Sequence, residues 1–354
     1  MHIPDGYLSP ATCAVLGGVM VPVTAIAVAR AKEVAKSRYA PLIATGAAFS
    51  FLVQMLNVPV PDGTTAHAVG AVLIAILLGP WAAVIAVTVA LIIQAFLFGD
   101  GGVLALGANA FNMAFIMPFV GYGIYRLLSY GSSLSSRRRV LAAGIGGYVG
   151  ITAAALCAAI EFGIQPDLFE TADGTPLYAP FHLSQTIPAM LLAHLTVAGF
   201  AELALTAGVV AYLQRANLPL LAFKHRGIAE TADDSSPPRS AWRWALIGIG
   251  VTALLTPLGL LAPGGAFGED APAELDLGKY HLGAVPRGLV KYADFWQHTL
   301  FADYGFSSGQ HETLAYLISA GLGILAAGAA VFAIVVTTRF VSGRAERSPS
   351  AETA

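Results

Sequence analysis

Residues 81–98, Trp-Ala-Ala-Val-Ile-Ala-Val-Thr-Val-Ala-Leu-Ile-Ile-Gln-Ala-Phe-Leu-Phe, contain no charged side chain. A helix of about 20 apolar residues crosses the hydrocarbon core of a bilayer, and this run approaches that length. Eight more apolar runs flank it, near 8–29, 40–56, 66–79, 109–129, 140–162, 184–213, 243–262 and 312–338. Over all 354 residues, 56% are apolar and 11% charged, with a mean hydropathy of +0.70; soluble domains carry about 25% charged residues. The fold class is therefore all-α, a polytopic transmembrane helical bundle of about seven spans followed by a C-terminal two-helix module with a large extracytoplasmic loop. The run at 66–79 is short and meets the next across Gly79-Pro80-Trp81, so it reads as a tilted helix or one arm of a buried hairpin.

Basic residues give the orientation. Arg30, Lys32, Lys36 and Arg38 follow the first run, Arg137, Arg138 and Arg139 precede the sixth, Arg215, Lys224, Arg226, Arg239 and Arg243 separate the seventh and eighth, and Arg339, Arg344 and Arg347 follow the last. Alternating crossings put all of these on one side, which the positive-inside rule makes cytoplasmic, with the N-terminus outside and the C-terminus inside. Residues 1–221 read as one membrane domain, and 222–240 as a polar, Pro/Ser-rich cytoplasmic linker. Residues 241–341 read as a two-span module around an outer loop at 263–311, and 342–354 as a disordered tail. No basic residue precedes the first run, so no cleavable signal is expected and Met1 is expected to be retained. Cys13 and Cys157 are isolated in apolar runs and make no disulfide framework. A net charge of −2 without a basic patch gives no reason to expect nucleic acid.

The chemistry begins at Met1-His2-Ile3-Pro4-Asp5-Gly6-Tyr7-Leu8-Ser9-Pro10. With His at position two, the Met1 amine, the His2 amide nitrogen and the His2 Nδ1 can close two fused rings around one ion if the amide is ionised. Three coplanar nitrogens leave a fourth planar position, a geometry that suits Ni(II) or Cu(II) better than Zn(II), Mg(II) or Ca(II). Pro4 and Asp5-Gly6 read as a turn that folds the tip back onto the bundle. His67, on the same side, is the candidate fourth ligand; an interfacial histidine paired with a carboxylate is the alternative. Thr64 or Thr65 is placed to cap a helix start there. Asp100, Asn109 and Asn112, in the Gly-rich stretch 98–113, are candidates for holding the ligand histidines and the N-terminal loop, or for packing and capping alone. His194 and Glu202, ionisable residues inside the seventh run, each need a partner or a purpose, as a structural pair or as a polar path or coupling element. His281, His298 and His311 share the outer loop at unspecific spacing. The chain lacks a Gly-x-x-x-x-Gly-Lys-Ser/Thr loop, and His311-Glu312-Thr313-Leu314-Ala315 has no second histidine for a zinc protease.

These motifs, with Gly63-Thr64-Thr65-Ala66-His67, Leu78-Gly79-Pro80-Trp81-Ala82, Phe98-Gly99-Asp100-Gly101-Gly102 and Gly107-Ala108-Asn109-Ala110-Phe111-Asn112-Met113, resemble the CbiM/NikM family over about residues 1–215. That family comprises the substrate-binding components of energy-coupling factor transporters for cobalt and nickel. Residues 240–340 look like a fused auxiliary N component, though Val285–Leu289 and Ala302–Phe306 replace a clean Pro-Asp-Gly-Leu-Glu motif. The resemblance implies a metal held by the Met1 amine, the His2 amide and imidazole, and His67. It also implies a transmembrane coupling partner and a cytoplasmic ATPase pair, a bacterial or archaeal plasma membrane, and a link to cobalamin biosynthesis. No cofactor is expected, because Ni2+ or Co2+ is the cargo, with nickel favoured by the planar nitrogen set. Two other readings stand beside this one: an ion-coupled secondary metal transporter using His194 and Glu202, and an intramembrane metalloenzyme.

Overall fold

The computed structural model describes residues 1–31, 34, 40–60, 64–222, 239–262 and 265–345. The central part of the linker (223–238) and the end of the tail (346–354) lie outside the described residues, as do Lys32, Lys36, Arg38, Gly63, Lys224, Arg226 and Arg347.

The first helix, α1 (Pro10–Arg30), starts at a Ser9 cap whose hydroxyl accepts the Thr12 amide at 3.0 Å, with Pro10 preset for the first turn. Then come α2 (Ala40–Gln54), α3 (Ala71–Leu78) and α4 (Pro80–Phe98). The helices α5 (Leu106–Leu128), α6 (Arg137–Gly163) and α7 (Leu183–Ala216) complete the first part. A two-stranded antiparallel ribbon, Val58–Pro59 with Thr65–Ala66, bridges α2 and α3. Among the described residues, six helices are long and apolar enough to cross a membrane, and the protein is a helical multi-pass membrane protein.

The charge-free run quoted first is the centre of the bundle. Of its most hydropathic stretch 72% is buried, against 17% for α1, as expected when a helix apolar on all sides is enclosed by others and not left to face lipid. The third run departs from the simple nine-span reading. Its helix, α3, has only eight residues and is about 12 Å long. Residues 67–70 enter it as non-helical chain ending in left-handed Gly70, and Gly79, at φ 91°, turns sharply into α4. That short helix carries the chain from the His67 turn to the level of Arg30 and Trp81, which line a common 110 Å³ cavity with Leu78 and Gly79.

The C-terminal part contributes α8 (Arg239–Leu255), a 3-10 extension to Leu261, the short α9 (Arg287–Ala293) and the long α10 (Glu312–Ala345). The last packs against α2. The loop between α8 and α10 is stitched to the first part. Trp296 Nε1 donates to Phe96 O at 2.9 Å, Leu300 N to Leu97 O at 2.8 Å, and Gly288 N to Leu177 O at 2.7 Å. Its three histidines, His281, His298 and His311, are exposed.

Candidate metal centre

The first nine residues are sealed into the protein. Met1, Ile3, Tyr7 and Leu8 are buried, as are His2, Asp5 and Ser9. Gly6 adopts φ 91°, and its backbone packs so closely on Leu289 that a side chain would strike that carbonyl. The segment needs partners for its buried main chain, and side chains supply them. Asn109 accepts from Ile3 N at 2.8 Å and donates to Ile3 O at 3.1 Å, while Gly102 N donates to the same carbonyl at 2.8 Å. Gln165 accepts Ser9 N at 2.9 Å, and Ala179 N donates to Tyr7 O at 2.9 Å.

Asp5 is the main fastener. Its carboxylate accepts Val103 N at 3.0 Å, Leu104 N at 2.8 Å and Ala105 N at 3.2 Å, at the threshold of α5. Burial raises its pKa above the usual carboxylate value despite those three donors. Asp5→Ala leaves the three amides without an acceptor and is expected to lower stability by about 1–3 kcal/mol. A thermal melt of the detergent-solubilised protein that matched the native one would contradict this.

The two predicted ligand histidines stack, ring centroids 4.9 Å apart and inclined by 23°. His2 Nε2 lies 2.9 Å from Gln54 Oε1, and His2 Nδ1 lies 2.6 Å from Asp100 Oδ1. Burial alone would lower the His2 pKa, but the Asp100 charge and hydrogen bond outweigh it and the pKa is raised. Burial would raise that of Asp100, but the same pair and the Tyr304 hydroxyl hold it below the usual carboxylate range. The Met1 ammonium lies 3.4 Å from Glu269 Oε1. His67 differs from both. Its Nδ1 is 3.1 Å from Ala68 O, its Nε2 is buried without a hydrogen-bond partner among the described residues, and its pKa is held well below the usual value by burial, then by the Met1 ammonium and His2. An Nδ1–H on a carbonyl fixes the tautomer that aims a bare lone pair from Nε2, the arrangement of an imidazole ligand. Among the described residues, no group of three or more His, Cys, Asp or Glu side chains is placed to hold a metal. A cation here needs main-chain nitrogen as well.

Met1, His2, Asp5, His67, Asp100 and Asn109 thus come together. Other expectations need correction. The helix start is not at Thr64 or Thr65: Thr65 lies in the ribbon, Thr64 precedes it with its carbonyl accepting Val60 N at 2.8 Å, and α3 starts later, after Gly70 in a left-handed turn. Asn112 does not hold the N-terminal loop; it donates to Glu161 Oε2 at 2.8 Å, because a π-helical stretch over Ala110–Ile116 turns it toward α6. His194 and Glu202 form no pair. His194 Nδ1 bonds to Met190 O of its own helix at 2.7 Å, a π-helical stretch over His194–Ala198 intervenes, and Glu202 reaches α3 instead.

Sequence reasoning missed Gln54, Glu269 and Tyr304. Gln54 could have been noticed as an amide closing an apolar helix. Tyr304 belongs to two successive left-handed residues, Asp303 at φ 49° and Tyr304 at φ 62°, which thrust its ring onto Phe98 and its hydroxyl onto Asp100. Burial, and then the Asp100 charge, raise that phenol's pKa well above its usual value.

The sequence model of the CbiM family, described as a cobalt uptake substrate-specific transmembrane region, matches residues 2–220. The fused nickel transport protein NikMN of Rhodobacter capsulatus is 46% identical over 336 residues, 92% of this chain and 94% of that one. The probable fused nickel transport protein LarMN of Lactiplantibacillus plantarum is 46% identical over 331 residues, 92% and 94% of the two chains. A crystal structure of a transition metal transporter is 59% identical with a TM-score of 0.57, and covers 64% of this chain and 100% of that one.

Proposed function

The chain belongs to the CbiM/NikM family, with its C-terminal part fused as in the NikMN relatives, and on that footing we propose that it captures a divalent transition-metal ion for uptake. Ni2+ is the favoured cargo and Co2+ the second. The ligands in this reading are the Met1 amine, the His2 amide nitrogen, the His2 Nδ1 and the His67 Nε2. The observation that carries it is the buried, unpartnered His67 Nε2 beside the His2 ring and the chain's own amine. A polar atom buried without a partner costs about 1–3 kcal/mol, and a cation recovers it.

The neighbours do the remaining work. Asn109 and Asp5 fix the tip so that its three nitrogens are held in place before the ion arrives. Asp100 and Glu269 hold the nitrogens that the ion displaces from them, and both carboxylates stay close as counter-charge. Four nitrogens, one an ionised amide, form a strong planar field that favours low-spin d⁸ nickel. The chain itself is a transport subunit and not an enzyme. Energy enters through a transmembrane coupling component and a cytoplasmic ATPase pair in the plasma membrane. The N-terminus lies outside, where the Arg-poor ends of the helices meet. Residues 1–221 form the capture domain and 241–341 the auxiliary module.

Loading the purified protein with Ni(II) tests this. One equivalent per chain is expected, in a yellow, diamagnetic complex. A paramagnetic or substoichiometric complex would show that the ion is held by other groups.

A further inference from the structure

Glu202 is fully buried in α7. Its Oε2 accepts two main-chain donors from another helix, Val69 N at 2.8 Å and Gly70 N at 3.0 Å. Those amides lie two and three residues after His67, at the entrance to α3, which has no side-chain cap of its own. A carboxylate in that position satisfies two orphan amides and faces the positive end of the helix, which offsets its burial. Thr206 Oγ1 donates to Oε1 at 3.4 Å, and Gly147 of α6 leaves room for the Glu202 side chain.

The contact continues toward the other histidine. Val69 O accepts the Ser50 hydroxyl at 2.8 Å, Ser50 Oγ accepts Gln54 Nε2 at 3.0 Å, and Gln54 Oε1 meets His2 Nε2 at 2.9 Å. Every link is buried. A continuous line of hydrogen bonds therefore runs from the last helix of the first part, through the His67 turn, to the His2 ring.

We propose that Glu202 is a positioning residue for the metal site: it clamps the Val69–Gly70 turn to α7 and, through Ser50 and Gln54, sets both the reach of His67 and the tilt of the His2 imidazole. This rests on the ligand set given above. The clamp ties the geometry of the site to the placement of α7, so a shift of that helix reaches both imidazoles.

The test is the Ni(II) dissociation constant, measured by competition with a chelator, together with the visible absorption band. Glu202→Ala is expected to weaken binding about 10–100-fold, as outer partners of metal ligands typically do, and to shift the band. Both main-chain bonds enter one oxygen, which an amide retains, so Glu202→Gln is expected to restore native affinity and band. Native behaviour in Glu202→Ala, or Glu202→Gln as weak as Glu202→Ala, overturns the proposal. If Glu202→Ala does not fold, Ser50→Ala decides: it removes one hydroxyl, and unchanged affinity and band would likewise overturn it. A native protein that binds no stoichiometric nickel would instead overturn the ligand set beneath it.

Discussion

Inserting one alanine between Met1 and His2 is expected to abolish uptake, the largest effect of any single change to this chain. With histidine at position two, amine, amide and Nδ1 fill three planar positions and His67 the fourth. With histidine at position three, amine, two amides and Nδ1 fill all four, and His67 is excluded. The insertion leaves the Ile3 and Asp5 anchors in register but pushes the Met1 amine one residue away from its seat beside Glu269. Any Ni(II) complex of the variant would use the remade rings and not the native ones. The check is a double-mutant cycle: in the inserted background, His67→Ala should change affinity no further. Persistent dependence on His67, or native uptake, would exclude the proposed rings.

His67→Ala in the native background is the second large effect. It removes the proposed fourth ligand and the ring stacked on His2, so the loss should exceed the 10–100-fold typical of an outer partner. Three tip nitrogens remain, which predicts a weaker complex with an open planar position. Added imidazole should enter that position and recover part of the native absorption. Affinity and spectrum unchanged by His67→Ala would remove His67 from the ligand set.

The helical membrane fold was legible because hydropathy depends on composition, and each long run stands clear of its neighbours. The span at 66–79 was not. Hydropathy does not register that residues 67–70 are not helical or that Gly79 breaks the run. At the site, Met1, His2 and Asp5 announce themselves because their chemistry is local to the chain start. His67 was reachable by its side of the membrane. Asp100 and Asn109 were visible as polar residues in a Gly-rich turn, but Asn112 was assigned with them because a regular helix would put it near the same face, and the π-helical stretch redirects it. Glu269 and Tyr304 come from more than 200 positions away, and no periodicity reports such a meeting. Glu202 was recognisable as an acid needing a partner; that the partner is main chain of another helix is visible only in three dimensions.

With the proposed ligand set, the two carboxylates that occupy the tip would also act as a sorting rule. An arriving cation competes with Asp100 for Nδ1 and with Glu269 for the amine, so its gain is the difference between new bonds and surrendered ones. Magnesium and calcium prefer oxygen and do not ionise an amide, so they cannot make up that difference. The abundant ions of the surroundings are turned away by what the tip already holds, and only an ion with a strong appetite for nitrogen crosses the threshold.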